Sequence, residues 1–323
     1  MTLTTYTILI CTRNRAATLT QALASHLELD IPAGVSRDLI VVDNGSTDNT
    51  AEVVAAFRKR APFPVTYVRE DRPGHSIALN TGCRVAAGDV VVFTDDDAFP
   101  DHGWLAAIHD AFVRHDCDWV YGPVVPRWET GSQPSWYGKH TRHIMACLDY
   151  GPEEFVATHS EQTFYGVNHA CRRRKLFDLG LYREDLGLRP GAGYSGNDTE
   201  LFARALAAGC RLVYSPPVLV HHLIPRARCE KAMHRRYSRM VAEKQFDHLH
   251  QNPPAAPTLF SLPRYYYRKP LEHLSGWLKG LAAGDASRRF FHEMQLIRFL
   301  TMISRGVYHH LFRNGPLRKQ GAG

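Results

Sequence analysis

The sequence has no long apolar run and no regular cysteine spacing. None of its 323 residues lies in a stretch near the ~18 uninterrupted apolar residues of a membrane-spanning helix. The apolar run at residues 6–11 is too short for a secretory signal. The seven cysteines form an odd, scattered set without a C-x-x-C pair, which argues against structural zinc and a disulfide framework. These absences favour the reducing cytoplasm as the location.

The net charge of +7 is concentrated near the C-terminus. From Arg288 onward, seven Lys and Arg residues face one acid, Glu293, so this tail carries +6 and the remainder is close to neutral. The basic character therefore belongs to the tail, and we do not expect nucleic acid to be the main partner. A hydrophobic content of 44% is typical of a globular protein, with room for one large domain and an extension.

The first half of the sequence alternates strand-like and helix-like stretches. Strands are predicted at residues 5–11, 39–43, 65–68 and 90–94, and helices at residues 16–29, 48–60, 76–87 and 101–115. This alternation predicts βαβ units and an α/β fold around a mostly parallel sheet. In such sheets ligands bind beyond the carboxyl ends of the strands.

Polar clusters follow three of these strands, at residues 12–15, 43–48 and 95–97. The last is Asp95, Asp96 and Asp97, whose like charges repel unless a cation lies among them. Hard oxygen ligands favour Mg²⁺ or Mn²⁺. The alternatives are a solvated acidic turn and, for Ser46 and Asp48, capping of the next helix.

The second half is less regular. Residues 127–163 carry interleaved prolines and aromatic residues, a pattern typical of a functional or mobile segment. Helices are predicted at residues 172–179 and 198–208, strands at 211–214 and 218–220, a Gly-rich loop at 187–196 and a Pro-rich linker at 252–257. We predict two domains, residues 1–228 and 229–323.

Six motifs follow one another over residues 5–228. They are Thr12-Arg13-Asn14; Val41 to Asp48; Phe93 to Asp97 with Pro100 and Gly103-Trp104-Leu105; Gly166-Val167-Asn168 with Arg172-Arg173; Gly196 to Glu200; and His222. In this order they resemble family 2 glycosyltransferases with the GT-A fold. The resemblance implies a Rossmann-like central sheet flanked by helices and a helical C-terminal extension. It also implies inverting transfer of a sugar from a nucleoside diphosphate sugar, with Mn²⁺ or Mg²⁺.

The resemblance assigns site residues one by one. The nucleotide-sugar would be bound by Thr12, Arg13, Asn14, Asp43, Asn44, Ser46, Arg72, Ser76, Asn80 and Asp96. The metal would be held by Asp95, Asp97 and His222, and the acceptor or sugar by Trp104, Asn168 and Asn197. Asp198 would be the general base, with its pKa held down by the start of a helix. The alternative for Asp198 is a helix-capping residue, and for His222 a structural histidine.

Three positions depart from the family pattern. Arg72 stands where many relatives carry Asn and Leu79 where many carry Arg, and Arg72 is expected to supply to the diphosphate the cation lost at Leu79. Asn197 stands where a Glu is usual beside the base, which leaves the assignment of Asp198 intact and is expected to affect acceptor choice.

The C-terminal segment 288–313 reads as a helix with a broad apolar face and a cationic polar side. One interpretation packs it on the catalytic domain. The other lays it on the anionic cytoplasmic face of a membrane, which would make the protein a peripheral membrane protein. The tyrosines at 265–267 fit either interpretation.

The predicted function is a non-processive glycosyltransferase of cell-envelope or exopolysaccharide synthesis. UDP is the favoured donor nucleotide, the acceptor is a glycan or a lipid-linked molecule, and residues 127–163 and 187–196 are expected to select it. The alternatives are a nucleotidyltransferase or metal-dependent phosphohydrolase on a similar sheet, and a non-catalytic protein that binds sugar nucleotides or glycans. A processive synthase is disfavoured, since Val124 stands where its Gln-x-x-Arg-Trp motif needs Gln.

Overall fold

The structure is a computed structural model that describes residues 4–187, 196–253 and 255–313. It divides into two compact units. We call Met1–Arg127 with Ala146–Leu223 the N-terminal unit, and Trp128–Met145 with Ile224–Gly323 the C-terminal unit. The predicted domain boundary at residue 228 stays a prediction.

The N-terminal unit is built on a large twisted sheet. Its strands are β1 (Thr5–Thr12), β2 (Ser36–Asp43), β3 (Val65–Arg69), β4 (Val90–Asp95), β6 (Trp119–Tyr121), β8 (Phe155–Val156), β9 (His169–Arg172) and β10 (Leu212–Tyr214), with the short strand β5 (Ala98–Pro100) after β4. Their order is β3-β2-β1-β4-β9-β6-β10-β8. The pairs β1–β2, β1–β4, β2–β3 and β6–β10 are parallel, and the pairs β4–β9, β6–β9 and β8–β10 are antiparallel. The predicted α/β fold with a mostly parallel sheet is confirmed.

The central strands are buried because their side chains are apolar on both faces. Val90, Val91 and Val92 of β4 are fully buried and Phe93 is 1% exposed. Apolar runs of this kind are typical of parallel strands covered by helices on both sides. The sheet is therefore a rigid support for whatever lies at its edges.

Helices cover the sheet of the N-terminal unit. They are α1 (Ala16–Ser25), α2 (Thr50–Arg58), α3 (His75–Val85), α4 (Trp104–His115), α5 (Arg173–Asp178) and α6 (Asn197–Ala207). The helix expected from residue 48 begins at Thr50, and its N-cap is Asn49. Ser46 and Asp48 therefore do not occupy the N-cap position.

A second, small sheet has the order β5-β11-β7, formed with β7 (Val124–Trp128) and β11 (Val220–Ile224). The strand predicted at 218–220 lies later and contains both His221 and His222. Its pairing with β5 places His222 opposite Ala98, directly after Asp97 in the chain.

The C-terminal unit is mainly helical. It contains α7 (Lys231–Gln251), the hairpin β12 (Thr258–Leu259) and β13 (Leu262–Pro263), α8 (Lys269–Ala282) and α9 (Ala286–Tyr308). The sequence analysis did not identify α7 or α8. Contacts of α9 with α7 and α8 bury Phe290 and Met294, so part of the apolar face predicted for a membrane is used inside this unit. Over the described ranges, no helix is long and apolar enough to cross a membrane.

Candidate active site

Three strands end side by side at one edge of the main sheet. Thr12 lies opposite Asp43 in the register of β1 and β2, and Cys11 lies opposite Asp95 in the register of β1 and β4. Because these strands are parallel, their carboxyl ends meet. The three polar clusters of the sequence therefore share one edge.

An acidic cluster with its own counter-ion lies at this edge. Asp96 is 4% exposed and Asp97 is 5% exposed. The Thr12 hydroxyl donates to Asp96 at 2.6 Å, and the Arg15 guanidinium contacts Asp96 at 2.6 Å and Asp97 at 2.8 Å. Sequence reasoning gave Arg15 no role, although its place in the polar turn after β1 was a usable signal. A single cation thus bridges two buried carboxylates.

His222 reaches the same cluster from β11. Its Nε2 lies 3.3 Å from Asp97 Oδ1, and its ring is almost completely buried. The backbone N–H of Leu223 donates to the carbonyl of Asp97 at 2.8 Å, which holds the strand against the acidic turn. The structure thus brings together Asp97 and His222, which the sequence places far apart.

The two carboxylates that were predicted as metal ligands have pKa values shifted in opposite directions. Burial, followed by the charge of Asp97, raises the pKa of Asp95 to about 7. Burial also acts to raise the pKa of Asp97, but the hydrogen bond and charge of His222 and the charge of Arg15 outweigh it and lower that pKa to about 2. The cluster therefore holds more negative charge than Arg15 neutralises.

The residues that could hold a divalent cation are Asp95, Asp97 and His222. The carboxylate oxygens of Asp95 and Asp97 suit Mg²⁺ or Mn²⁺, while the imidazole nitrogen of His222 is a softer ligand. In the part of the chain that the structure describes, no group of three or more His, Cys, Asp or Glu side chains is arranged so that it could hold a metal ion without rearrangement. Both oxygens of Asp97 already have a partner, in Arg15 and His222.

Asp43 is buried at the end of β2 and is fixed by neighbours. Its carboxylate accepts the backbone N–H of Ser46 at 2.7 Å and the Tyr67 hydroxyl at 2.7 Å, and Arg69 lies 3.7 Å away. Burial and the bond to Asp43 raise the pKa of Tyr67. Tyr67 and Arg69 were not among the predicted site residues, and the available signal was their position on the adjacent strand β3, which ends at Arg69.

The turns after β1 and β2 are joined to each other. Ser46 accepts the backbone N–H of Asn14 at 2.9 Å, and Asn14 accepts the backbone N–H of Thr47 at 2.7 Å. Asn14 has a φ of 53°, a left-handed conformation that Asn tolerates better than most residues. Arg13 is exposed beside it. These contacts fix the shape of the turn and leave Arg13 accessible.

The side-chain amides of Asn44 and Asn80, which were predicted to bind the nucleotide, form hydrogen bonds to backbone groups of the protein. Asn44 donates to the carbonyls of Glu70 and Arg72 at 3.0 and 2.8 Å and accepts the N–H of Gly74 at 2.9 Å. Asn80 donates to the carbonyl of Tyr182 at 2.9 Å and accepts its N–H at 2.9 Å. Both side chains hold neighbouring segments in place, and their direct contact with a nucleotide stays a prediction.

Arg72 is paired with Glu70, at 2.9 Å between Nη2 and Oε2. Its bond is the main reason why the pKa of Glu70 is lowered to about 2. The Arg72 side chain is 59% exposed, so it remains available to a ligand. Ser76, in the first turn of α3, is buried, and its hydroxyl has no hydrogen-bond partner among the described residues.

Asp198 lies in the first turn of α6, beside Gly166. Its Oδ2 accepts the backbone N–H of Gly166 at 3.0 Å, and its buried Oδ1 has no hydrogen-bond partner within the described ranges. A Cβ on residue 166 would lie 2.9 Å from both carboxylate oxygens, so only glycine fits there without moving the acid.

The predicted effect of the helix on Asp198 was in the wrong direction. Burial raises the pKa of Asp198, and the nearby charge of His75 and the bond to Gly166 only reduce that rise. Burial likewise lowers the pKa of His75, to which the sequence analysis gave no role although it precedes the predicted site residue Ser76. Loss of hydration outweighs the helix dipole at this position.

Trp104 and Asn168 are hydrogen-bonded inside the protein, and their contact with a sugar or an acceptor stays a prediction. Both are almost completely buried, and the indole N–H of Trp104 donates to Asn168 at 2.9 Å. Asn168 in turn donates to the carbonyls of Pro123 and Val218 at 2.9 and 2.7 Å. Asn197 is also buried, next to Asp198 in α6. Most of the loop 187–196, predicted to select the acceptor, lies outside the described residues.

Two solved structures have a similar fold. The chain resembles the mannosyltransferase PcManGT from Pyrobaculum calidifontis, solved with GDP-Man and Mn²⁺, with a TM-score of 0.58 and 22% identity over 94% of this chain and 87% of that one. It also resembles residues 1–349 of S. aureus TarS, with a TM-score of 0.53 and 16% identity over 90% of each chain. The fold is GT-A, as predicted.

The chain belongs to glycosyl transferase family 2, because the model of that family matches residues 7–180. It is 27% identical to the succinoglycan biosynthesis protein ExoM of Rhizobium meliloti over 69% of this chain and 68% of that protein. It is 31% identical to the pre-mycofactocin glycosyltransferase of Mycobacterium tuberculosis over 46% of this chain and 30% of that protein. The glucosyl-dolichyl phosphate glucuronosyltransferase of Haloferax volcanii is 25% identical over 60% of this chain and 61% of that protein. The predicted glycosyltransferase class is confirmed.

Proposed function

We propose that this glycosyltransferase is inverting, metal-dependent and non-processive, with a nucleoside diphosphate sugar as donor and UDP as the favoured nucleotide. The observation that carries the proposal is one sheet edge with an acidic cluster, Asp95 to Asp97, together with a further acid, Asp198, whose charge acts on Asp95. The acceptor is a hydroxyl of a glycan or of a lipid-linked molecule. The succinoglycan role in the name of ExoM supports a place in exopolysaccharide or cell-envelope synthesis.

The acidic cluster suits a divalent cation. Asp95, Asp97 and His222 would hold it. Burial and, after it, the charge of Asp97 raise the pKa of Asp95 to about 7, and a bound cation would favour the ionised form of Asp95. When bound, such a cation neutralises charge on the departing nucleoside diphosphate. PcManGT was solved with Mn²⁺ and GDP-Man, which supports the same kind of ligand here.

The donor nucleotide would lie across the joined turns after β1 and β2. Asp43 is held by Ser46 and Tyr67 and keeps lone pairs that can accept a ring N–H of a pyrimidine. Arg15 and Arg72 are the partly exposed cations next to this edge, and both can turn from their carboxylate partners toward a diphosphate. The bond between Asp96 and Thr12 would keep Asp96 in place near the ribose.

Asp198 would act as the general base. Its Oδ2 is fixed by Gly166, while Oδ1 has no partner among the described residues and can take the proton of the acceptor hydroxyl. The acceptor oxygen then forms a bond to the anomeric carbon as the bond to the diphosphate oxygen breaks, and the electron pair leaves with the nucleoside diphosphate. A raised pKa makes the ionised carboxylate a stronger base.

The deciding experiment measures release of nucleoside diphosphate from a panel of UDP-, GDP- and dTDP-sugars, each with Mn²⁺, with Mg²⁺ and with EDTA. Slow hydrolysis of one donor that stops with EDTA supports the proposal and identifies the sugar. Hydrolysis that is equal with EDTA contradicts the metal dependence. Tight binding of a donor without turnover, even with lipid-linked and glycan acceptors added, favours the non-catalytic binding protein.

A further inference from the structure

The outer face of α8 exposes a row of four leucines. Their exposed fractions are 70% for Leu271, 45% for Leu274, 52% for Leu278 and 47% for Leu281. Their spacing places them on one side of the helix. A surface helix of a globular protein normally turns such a stripe toward the core, so this face is the reverse of the usual arrangement. We call these four residues the leucine row.

The opposite side of α8 packs on α9 through glycine. A Cβ on Gly276 would lie 2.2 Å from the ring of His292, and a Cβ on Gly280 would lie 2.9 Å from the backbone nitrogen of Arg289. At about 100° per residue, these glycines lie roughly 160° around the helix from the leucine row. The close contact fixes which side of α8 faces α9, and therefore holds the leucine row outward.

The charge of the C-terminal unit indicates what covers the leucine row. This unit contains 20 Lys and Arg against 7 Asp and Glu, a net charge of +13, whereas the N-terminal unit contains 19 against 25, a net charge of −6. Arg264, Arg268 and Lys279, in α8 or just before it, are exposed. A second copy of the same unit would bring +13 against +13, while an anionic lipid surface attracts it.

We propose that α8 docks on an anionic lipid bilayer. The leucine row enters the boundary between headgroups and acyl chains, and Arg264, Arg268 and Lys279 lie among the lipid headgroups. This surface differs from the face of α9 that the sequence suggested, which is partly buried inside the C-terminal unit. It would hold the enzyme at a membrane as a peripheral protein, where a lipid-linked acceptor is found. The proposal does not depend on which donor the enzyme uses.

The test is flotation of the full chain with vesicles of phosphatidylcholine containing about 30% phosphatidylglycerol, and with vesicles of phosphatidylcholine alone. We expect binding to the anionic vesicles that weakens with salt. The double variant L271Q/L278Q should lose roughly tenfold or more of its partitioning, because two apolar side chains no longer enter the lipid. The matched control is V85Q/V113Q, which replaces two exposed apolar helix residues of the N-terminal unit.

Each outcome decides the proposal. The proposal is supported if L271Q/L278Q loses vesicle binding while V85Q/V113Q keeps it. The circular dichroism spectrum and the donor hydrolysis rate without vesicles must be unchanged in both variants. Equal partitioning of both variants, or no binding of the unaltered protein to anionic vesicles, overturns it. A change from dimer to monomer in sedimentation, with unchanged vesicle binding, would instead assign the leucine row to a second copy of the chain. The variant R264Q/R268Q/K279Q should lose its affinity for anionic vesicles chiefly at low salt.

Discussion

At the scale of single residues, the chemistry depends most on one carboxylate. Asp198 accepts one backbone N–H through Oδ2, and its Oδ1 has no partner among the described residues. We expect Asp198→Asn to lower kcat by roughly a thousandfold or more, because Asn cannot take a proton, while donor affinity changes little. Single-turnover transfer and donor titration measure the two effects. The control is Asp178→Asn, which replaces an exposed acid of α5 and should change neither kcat nor donor affinity. Full activity of Asp198→Asn would show that Asp198 is not the general base.

The raised pKa of Asp198 has a consequence for the pH profile. The base must be ionised, and burial raises its pKa above the ordinary value of 3.8. Activity should therefore fall with decreasing pH at a higher pH than an exposed Asp would give. The measurement is kcat against pH with saturating donor and acceptor. An acidic limb at or below pH 3.8 would contradict this assignment.

Asp97 should be required for both the cation and the donor. Its pKa of about 2 keeps it ionised at every working pH, and both of its oxygens point to charged or polar partners. We expect Asp97→Ala to lose the response to Mn²⁺ and at least tenfold in donor affinity, because a carboxylate ligand of the proposed cation is removed and that cation would neutralise the diphosphate. Isothermal titration with and without Mn²⁺ checks this, with Asp101→Ala, an exposed acid nearby in the chain, as the control. Unchanged metal-dependent binding would exclude Asp97 from the cation site.

At the scale of elements, the sequence predicted those strands and helices that have a clear apolar run or a clear apolar periodicity. The strands at 5–11, 39–43, 65–68 and 90–94 lie within or overlap β1 to β4, because each is a β-branched run bounded by polar residues. The helix α7 was missed because its mean hydropathy is low and few of its residues are buried, so it carries little apolar periodicity. The helix α8 was missed because Gly276 and Gly280 lower its helix propensity. These glycines allow close packing of α8 on α9, which the sequence alone does not reveal.

The candidate site was predictable where it depends on strand ends, and unpredictable where it depends on packing between distant segments. Asp95 and Asp43 follow from the parallel register of β4, β1 and β2. The burial of Trp104 against Asn168 does not follow, since the two are 64 positions apart and meet only in the folded core. The direction of the Asp198 pKa shift also depends on burial, which a sequence motif does not reveal.

Within the irregular segment 127–163, the side chain of Glu154 is held by several hydrogen bonds. Its carboxylate accepts two bonds from Arg114 of α4 at 2.7 and 2.9 Å and one from the Ser215 hydroxyl at 2.5 Å, and His115 lies 3.0 Å away. The bond to Arg114 is the main reason why the pKa of Glu154 is lowered to about 2. This one side chain therefore ties β8 and its surroundings to α4.

Replacing Glu154 should destabilise the N-terminal unit. We expect Glu154→Gln to lower the free energy of unfolding by about 2 kcal/mol, because the charge-assisted bonds between Glu154 and Arg114 are lost and Arg114 keeps only Asp110 as an acidic partner among the described residues. Urea denaturation at neutral pH measures the change, with Glu153→Gln, an exposed neighbour, as the control. Equal stability of the two variants would show that the contacts of Glu154 contribute nothing measurable.

At the scale of the whole molecule, buried ionisable groups set the response to acid. Burial lowers the pKa of His26 to about 4 and that of His169 to about 3. The indole N–H of Trp119 donates to Nδ1 of His169 at 3.1 Å, and since this N–H can only donate, the ring must be neutral. Asp95 acts in the opposite sense, because its pKa of about 7 lets the folded chain bind a proton below that pH.

The acid sensitivity of the fold should therefore decrease when His169 is replaced. In the unfolded chain this histidine binds a proton near pH 6.5, whereas in the folded chain it stays neutral to about pH 3. Its contribution to stability is complete above pH 6.5 and is lost as the pH falls toward 3, on the order of 4 kcal/mol in all. His169→Gln will lower stability at pH 7.5, because the stacking on Phe93 and Phe164 is lost. Its free energy of unfolding should nevertheless fall less steeply between pH 6.5 and 4.5 than that of the unaltered protein or of His159→Gln, whose histidine is exposed. Urea denaturation at several pH values in this window measures the slope, and equal slopes for His169→Gln and His159→Gln would mean that the buried imidazole is not the group that titrates on unfolding.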